Sequence, residues 1–325
     1  MFRKPTDSSF NTIAVSLKWG GLGDNIARIP ALRYLIKGYP QNSYHIFCPE
    51  YLLDLYKRFC LIENFGPRVH LHPYSEWKTA EKRFRIIIDF EPHSFTALRM
   101  HLVDVAFIHL NDKIPTKEES IYPKYDPFWT DVVDFKKWTS LQPSKYIVIT
   151  TMYTAPVREW PAEEINKTVQ GVIDRGYLPV FLGESNIPIM NTLSIQSYTS
   201  TEVDYSKGLD LRGETTLIEA LTIMHNSHAV LGVDNGLLHL ASCTKAPVIW
   251  GFTSVNPMVR LPETPYDVPH FIVSPTKLAC KFCQTNINWE VNHDFTKCFY
   301  KDYLCLKEMK AEKFLMPLDT ALEEK

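Results

Sequence analysis

The chain has no stretch that approaches the roughly 18 consecutive apolar residues required by a membrane-spanning helix. Residues 1–11 are polar and lack the apolar segment of a secretory signal. The formal net charge is only −2, so no overall electrostatic attraction to nucleic acid or to an anionic membrane is expected. We therefore expect a cytoplasmic protein, which could also work peripherally at the inner face of a membrane.

Two nucleotide-binding fingerprints are missing as well. Gly21-Leu22-Gly23 supplies a GxG, but no third glycine follows at the dinucleotide-binding spacing, and no Gly-Lys-Ser/Thr of a Walker loop occurs. Internal repeats, heptad runs and low-complexity tracts are also absent. The sequence thus indicates neither a nicotinamide enzyme nor a P-loop enzyme.

The composition is that of ordinary globular domains, with 45% hydrophobic and 22% charged residues. Seven cysteines, an odd number without a secretory signal, indicate reduced thiols. A length of 325 residues exceeds the usual size of one hydrophobic core, so we predict two domains that meet near residues 141–144.

Apolar runs alternate with amphipathic stretches along most of the chain. This alternation predicts parallel sheets with helices on both faces, and a ligand cleft at the carboxyl ends of the strands. We predict strands over 12–17, 44–48, 85–90, 106–110, 146–151, 178–182, 229–233 and 247–250. We predict helices over 25–37, 51–59, 93–103, 162–175, 217–226 and after residue 236.

The apolar run 229–233 leads into Asp234-Asn235-Gly236 and then directly into a helix. Asn235 or Gly236 could take backbone shapes that most residues resist. The free amides at the helix start would suit a phosphate group, with His239 one turn on. The alternative is a helix capped by Asp234, with His239 partly buried.

Two other turns follow strands. Asp24, after the GxG turn, either caps the next helix or acts as a carboxylate base at the mouth of a cleft. The segment 150–161 offers hydroxyls and the guanidinium of Arg158, which suit phosphate oxygens. The alternative for this segment is a surface loop in which Trp160 packs and Arg158 is solvated.

Together these segments resemble glycosyltransferase family 9, the ADP-heptose:lipopolysaccharide heptosyltransferase group. The resemblance extends over about residues 13–257, and the last motif is the most specific. Its motifs are Gly20-Gly21-Leu22-Gly23-Asp24, Pro30-Ala31-Leu32, Arg158-Glu159-Trp160-Pro161, Leu182-Gly183, Leu211-Arg212-Gly213-Glu214-Thr215-Thr216-Leu217, and Asp234-Asn235-Gly236-Leu237-Leu238-His239-Leu240-Ala241.

The resemblance implies an α/β fold of the GT-B type, with two facing Rossmann-like domains and a cleft between them. The acceptor would bind the N-terminal domain (1–143) and the donor nucleotide the C-terminal domain (144–305). A terminal helix (306–325) would cross back to the N-terminal domain.

The resemblance also assigns roles to single residues. Asp24 would be the general base, with Gly21 and Gly23 on the acceptor side. Arg158 takes the place of a basic residue, usually Lys, that neutralises the leaving diphosphate. Asn235 stands where a Thr is often found. The donor-binding residues implied are Thr151, Thr154, Arg158, Glu184, Thr215, Asp234, Asn235, Gly236 and His239, with Thr215 at the base and Glu184 at the ribose.

The function predicted is an inverting glycosyltransferase that needs no metal and uses a nucleotide-diphosphate sugar similar to ADP-heptose. The expected acceptor is a glycan, a lipid-linked glycan or a lipopolysaccharide core. Two alternatives remain: an enzyme that glycosylates a modified nucleobase in DNA, and a non-catalytic nucleotide-sugar-binding relative. The residues around positions 93–101 and 122–138 do not match the acceptor site of a lipopolysaccharide enzyme.

The late cysteines Cys280, Cys283, Cys298 and Cys305 form a separate group that begins with a CxxC. Four thiolates could hold a structural zinc. The second pair is spaced too widely for a compact zinc knuckle, so buried free thiols or a redox-sensitive pair are the favoured alternative.

Overall fold

The computed structural model describes residues 11–18, 20–90, 100–111, 113–127, 141–153, 155–185, 198–286, 298 and 300–323. The chain divides into two compact units. The first comprises Met1–Asp126 with Pro262–Pro265, and the second Pro127–Leu261 with Tyr266–Lys325. The division after Asp126 precedes the boundary predicted after residue 143. The first unit also includes the short segment Pro262–Pro265, which lies far along the chain.

The first unit contains a four-stranded parallel sheet in the order β3-β2-β1-β4. The central strand β1 is buried over four of its five residues, as expected for a parallel strand covered on both faces. The elements are β1 (Thr12–Ser16), α1 (Leu22–Ala27), α2 (Ile29–Gly38), β2 (Ser43–Cys48), α3 (Leu53–Ile62), β3 (Val69–Pro73), α4 (Trp77–Ala80), β4 (Ile86–Asp89), α5 (Leu102–Asn111) and α6 (Lys117–Ser120).

Three predictions for this unit need correction. The strand predicted over 106–110 is wrong, because these residues belong to helix α5; a short apolar run does not by itself distinguish a strand from a buried helix. The helix predicted over 25–37 is two helices, with Pro30 in the first turn of α2. Strand β3 was missed because its polar sequence carries no apolar run. Most of the helix predicted over 93–103, residues 93–99, lies outside the described residues.

The second unit contains a six-stranded parallel sheet in the order β12-β11-β10-β5-β7-β9. Strands β5 and β10 are buried along their whole length. The elements are β5 (Tyr146–Thr150), β6 (Met152–Tyr153), α7 (Ala162–Asp174), β7 (Leu178–Leu182), β8 (Tyr198–Thr199), β9 (Leu209–Asp210), α8 (Leu217–Asn226), β10 (Ala229–Val233), α9 (Gly236–Ala241), β11 (Val248–Gly251), β12 (His270–Val273), α10 (Cys283–Asn286), α11 (Leu304–Lys307) and α12 (Ala311–Glu323).

Helix α12 packs into the core of the second unit. Phe314 stacks on Trp160 with ring centroids 4.0 Å apart, and Phe314 and Leu318 are fully buried. The buried Glu164 carboxylate of α7 accepts a hydrogen bond from the Ala311 amide at 3.0 Å. Helix α12 thus belongs to this unit, and the predicted crossing of the terminal helix back to the N-terminal domain stays a prediction. No helix in the described part of the chain has the length and apolar character to cross a membrane.

Candidate functional site

Three neighbouring strands of the second unit direct their following loops to one edge of the sheet. Strands β5, β10 and β11 are adjacent and parallel, so their carboxyl ends lie together. Arg158 follows β5 and the short β6, Asp234 follows β10, and Arg260 follows β11. Carboxyl ends of parallel strands are where α/β proteins bind ligands.

Asp234 is the centre of this edge, with a side chain that is only 6% exposed. Its Oδ2 lies 3.3 Å from Nη1 of Arg158 and 3.7 Å from Nε of Arg260, and its Oδ1 lies 3.9 Å from Nε2 of His239. Two guanidiniums therefore share one buried carboxylate, and the imidazole stands beside it. Such a cluster is suited to an anion, because fixed guanidiniums away from bulk water bind phosphate oxygens strongly.

Asn235, and not Asp234, caps helix α9. Its Oδ1 accepts from the amides of Leu237 at 2.9 Å and Leu238 at 3.2 Å. Its backbone is extended, with φ −151°, so the predicted unusual turn conformation at residues 235 and 236 is wrong. The Gly236 amide makes no hydrogen bond to any residue that the structure describes.

The side-chain nitrogen of Asn235 connects helix α9 to the sheet. Nδ2 donates to Oγ1 of Thr150 and to the carbonyl of Met152, both at 3.0 Å. The approach of Thr150 depends on Gly232 in the neighbouring strand, because a Cβ there would lie 2.1 Å from Thr150 Oγ1. The position of α9 is thus fixed by residues of β5 and β10.

His239 is buried, with 3% of its side chain exposed, where the sequence predicted partial burial. It packs edge-on against Trp250, with ring centroids 5.1 Å apart. His270, on β12, lies near the same tryptophan, with ring centroids 6.0 Å apart. Burial, and to a smaller degree the charge of His239, lowers the pKa of His270 to about 4.

Arg158 is held from two sides. Nη1 faces Asp234, and Nε donates to Oε1 of Gln284 at 3.4 Å. Its side chain is 17% exposed, so Arg158 is not the freely solvated residue of the surface-loop alternative. The other part of that alternative does hold, because Trp160 is packed in the core.

The remaining predicted donor residues are less directly placed. Thr151 is 2% exposed, and its hydroxyl is hydrogen-bonded to that of Tyr205 at 3.0 Å. Glu184 is exposed and Thr215 is half-buried, and a hydrogen bond from the Gly213 amide to the Gly183 carbonyl joins their two loops at 2.8 Å. Thr154 lies outside the described residues. The roles of these four residues stay predictions.

In the first unit, Asp24 lies in the first turn of α1. Its Oδ2 accepts a hydrogen bond from the Gly21 amide at 2.9 Å. Gly21 is the N-cap of α1 and Asp24 its third residue, so Asp24 does not cap a helix that begins at Asn25, although its carboxylate does stabilise the start of α1. Gly20 has φ +93°, and a Cβ there would lie 2.6 Å from Cβ of Asp24, so only glycine suits this turn. Gly23 is buried within α1.

Arg28 closes the same helix. It is 6% exposed, and it donates to Oδ1 of Asn25 at 3.3 Å and to the carbonyl of Phe90 at 3.0 Å. Burial lowers the pKa of its guanidinium, and the charge of Asp24 acts in the opposite direction. The two ends of α1 thus carry opposite charges.

Three of the late cysteines, Cys280, Cys283 and Cys305, have raised thiol pKa values. Burial raises the pKa of Cys280 and Cys283, and that of Cys305 to about 12, and the neighbouring cysteines add to each shift. Among the described residues, no group of three or more His, Cys, Asp or Glu side chains is arranged to hold a metal ion.

Sequence reasoning missed two residues of the site, Arg260 and Gln284. Arg260 lies 26 positions beyond Asp234 and Gln284 126 positions beyond Arg158, so no local motif connects them. A weak signal existed for Arg260, since it follows the carboxyl end of a predicted strand.

Comparison with known proteins identifies the family of the chain. The sequence pattern of glycosyltransferase family 9 (heptosyltransferase) matches residues 106–289. The lipooligosaccharide heptosyltransferase 2 of Haemophilus influenzae is 24% identical over 196 residues. This alignment covers 57% of the chain and only 55% of the relative, so the chain matches little more than half of that protein's length.

Solved structures show the fold. The ADP-heptose LPS heptosyltransferase II of Escherichia coli has a TM-score of 0.67 at 15% identity, over 97% of this chain and 99% of its own. The iron-containing dodecameric glycosyltransferase TibC of enterotoxigenic E. coli has a TM-score of 0.71 at 13% identity, over 99% of this chain and 81% of its own. The predicted GT-B class, with two parallel α/β units, is confirmed.

Proposed function

This chain belongs to glycosyltransferase family 9, and on that premise we propose that it moves a sugar from a nucleotide-diphosphate donor to an acceptor hydroxyl, with inversion at the anomeric carbon. The observation that carries the proposal is the pair of guanidiniums, Arg158 and Arg260, around the buried Asp234. Negative charge grows on the diphosphate as its bond to the sugar breaks. Fixed cations in a partly desolvated site stabilise that charge.

In this proposal Asp234 is a positioning residue. A carboxylate would repel the diphosphate, but it orients both guanidiniums before the donor arrives. His239 and the Gly236 amide complete the diphosphate site, since both stand at the start of α9 beside Asp234. The Asn235 side chain supports the site by capping and does not itself contact the donor.

Asp24 is the proposed general base. The acceptor oxygen attacks the anomeric carbon, its proton passes to the Asp24 carboxylate, and the anomeric bond to the diphosphate breaks. The Gly21 amide, bound to Oδ2, would fix the orientation of the carboxylate. We propose a donor similar to ADP-heptose and a lipid-linked glycan acceptor. One support is the H. influenzae lipooligosaccharide heptosyltransferase, and the other is the structure of TibC in complex with ADP-D-β-D-heptose. No step requires a metal.

The donor proposal is tested by thermal unfolding with a panel of nucleoside diphosphates and nucleotide sugars, since a ligand that binds only the folded state raises the Tm. We expect ADP and ADP-heptose to raise the Tm of the wild-type protein and to have little effect on Arg158→Met/Arg260→Met. Arg175→Met, which removes a distant ion pair with Asp319, is the control. No shift with any member of the panel would refute the donor site.

A second candidate is a nucleotide-sugar-binding relative without transferase activity. The hydrogen bond from Gly21 to Asp24 favours it, because it gives the carboxylate a purely structural use. Asp24→Asn separates the two, since an asparagine oxygen can still accept from Gly21 but cannot act as a base. We expect release of ADP from ADP-heptose, with lipopolysaccharide core as acceptor, to fall at least about 100-fold while ADP binding stays unchanged. ADP binding without ADP release by the wild-type protein would support the second candidate, and a near wild-type rate in Asp24→Asn would refute Asp24 as the base.

A further inference from the structure

The segment that carries Cys280 and Cys283 leads into helix α10, and α10 reaches the proposed diphosphate site through Gln284. The Gln284 side chain is buried at 6% exposure. Its single carbonyl oxygen accepts two hydrogen bonds, from the Ser254 hydroxyl at 2.7 Å and from Nε of Arg158 at 3.4 Å. Gln284 is therefore the link between the loop after β11 and the loop that bears Arg158.

Gln284 and its neighbour Thr285 are hydrogen-bonded to the loop that follows β11. The backbone amide of Gln284 donates to the Ser254 carbonyl at 2.8 Å, and the Thr285 hydroxyl accepts from the backbone amide of Asn256 at 2.9 Å. The adjacent Thr253 hydroxyl donates to the Val157 carbonyl at 2.6 Å, next to Arg158 in the chain. The same loop continues into the turn Pro257–Val259 that ends at Arg260.

We propose that Gln284 is a positioning residue for Arg158. Asp234 holds Nη1 of the guanidinium and Gln284 holds Nε, so two points fix its plane before the diphosphate binds. A neutral amide does this without cancelling the positive charge, whereas a second carboxylate would compete with the phosphate. The inference rests on the proposed function, because it requires Arg158 to bind the donor diphosphate.

The first test compares Gln284→Met, which keeps the length of the side chain and removes the acceptor, with Ser254→Ala, which removes its anchor. Binding of ADP and of inorganic pyrophosphate is measured by calorimetry on the full chain. Loss of one positioning hydrogen bond should weaken both ligands by about 3- to 10-fold in each variant. Gln170→Met makes the same substitution on the exposed face of α7, and it should leave both affinities unchanged.

The second test asks whether Gln284 acts through Arg158. Gln284→Met is combined with Arg158→Met, and the double variant should bind ADP no more weakly than Arg158→Met alone. The NMR signal of the Arg158 Nε–H group should shift in Gln284→Met and not in Gln170→Met. A purely structural role for Gln284 would not produce either result.

The outcomes separate the inference from the function on which it rests. If the wild-type protein binds neither ADP nor pyrophosphate, the proposed function fails, and the inference fails with it. If the wild type binds them and Gln284→Met binds them equally well, the inference alone is overturned. It is also overturned if Gln284→Met weakens ADP binding as much in the Arg158→Met background as in the wild type.

Discussion

The oxygen and the nitrogen of the Asn235 side-chain amide make hydrogen bonds with different parts of the second unit. The oxygen caps α9, and the nitrogen joins the helix to Thr150 and Met152. A threonine at this position could supply the capping oxygen but has only one donor for the sheet. The asparagine thus couples the start of α9 more tightly to strand β5 than a hydroxyl could.

We predict that Asn235→Ala lowers the free energy of unfolding by about 2–4 kcal/mol, since it removes a cap and leaves buried polar atoms without partners. Thr216→Ala is the matched control, because Thr216 is an exposed cap of α8 with no such link to the sheet. That control should cost about 1 kcal/mol. Urea denaturation measures both. Equal losses would show that the contacts with Thr150 and Met152 contribute nothing.

At the proposed diphosphate site, both Arg158 and Arg260 face Oδ2 of Asp234, and Nε of Arg158 also donates to Gln284. We predict that Asp234→Asn weakens ADP binding by about 10-fold or more, although it removes a negative charge from an anion site, because both guanidiniums lose their orientation. Calorimetry measures the affinity. Tighter binding of ADP by Asp234→Asn would contradict the positioning role.

Among the elements, helix α7 is joined to the start of α12 by the buried carboxylate of Glu164. Glu164 of α7 accepts from the Ala311 amide at 3.0 Å and from Lys310 Nζ at 2.9 Å. Burial alone would raise the pKa of Glu164, but the bonds from Ala311 and Lys310 outweigh it, and the pKa is lowered. The carboxylate therefore stabilises the folded chain when ionised.

We predict that Glu164→Gln lowers the free energy of unfolding at pH 7 by about 1.5–3 kcal/mol, the usual contribution of hydrogen bonds to a charged group. Because the folded pKa lies below the unfolded one, the contribution is complete above the unfolded pKa and is lost as pH falls through the folded pKa. The difference between wild type and variant should therefore shrink in acid. Glu163→Gln, on the exposed neighbour, should cost less than about 0.5 kcal/mol. A pH-independent difference would contradict the assignment.

The strands show what the sequence can and cannot predict. The apolar runs at β5, β7 and β10 predicted their positions to within about one residue, because parallel strands buried on both faces must be continuously apolar. Strand β3 escaped prediction, since it lies at the sheet edge and alternates histidine with Val69 and Leu71. Helix α5 was mistaken for a strand, because its apolar residues are too continuous to show a helical period.

For the whole molecule, His270 makes stability depend on pH in a defined window. Its pKa in the folded protein is about 4, below the value of 6.5 of a free histidine. Below pH 6.5 the unfolded chain takes up a proton that the folded protein does not, so stability falls until about pH 4. The loss from this residue should be about 2–3 kcal/mol.

The measurement is the free energy of unfolding between pH 7 and pH 4 for the wild type and for His270→Gln, which cannot be protonated. The two curves should approach each other in acid, as the penalty appears only in the wild type. Curves that remain parallel would show that His270 takes up its proton equally well in the folded protein.

The two units should respond differently to a nucleotide. We predict that ADP slows amide hydrogen exchange in α9 and in the turn Pro257–Val259, which flank the proposed diphosphate site, and leaves β1 to β4 unchanged. Mass spectrometry of peptide fragments measures this. Protection confined to the first unit would contradict the assignment of the donor to the second.

The sequence alone predicted Asp234, His239 and Arg158 as residues of one site, because each follows a strand of the predicted sheet. Its structural alternative had Asp234 as the cap, whereas Asn235 is the cap, since either side chain can cap a helix and only the backbone conformation of the turn decides between them. Gln284 and Arg260 reach the site through the path of the chain after β11, which no local pattern encodes.

The guanidinium pair around Asp234 has a kinetic consequence. Arg158 and Arg260 are proposed to contact the diphosphate, which remains in the nucleoside product after the sugar has left. The product therefore keeps the ionic contacts of the donor, and its release should limit turnover. An assay that removes free ADP with a phosphatase should accordingly stay linear for longer than one in which ADP accumulates and rebinds.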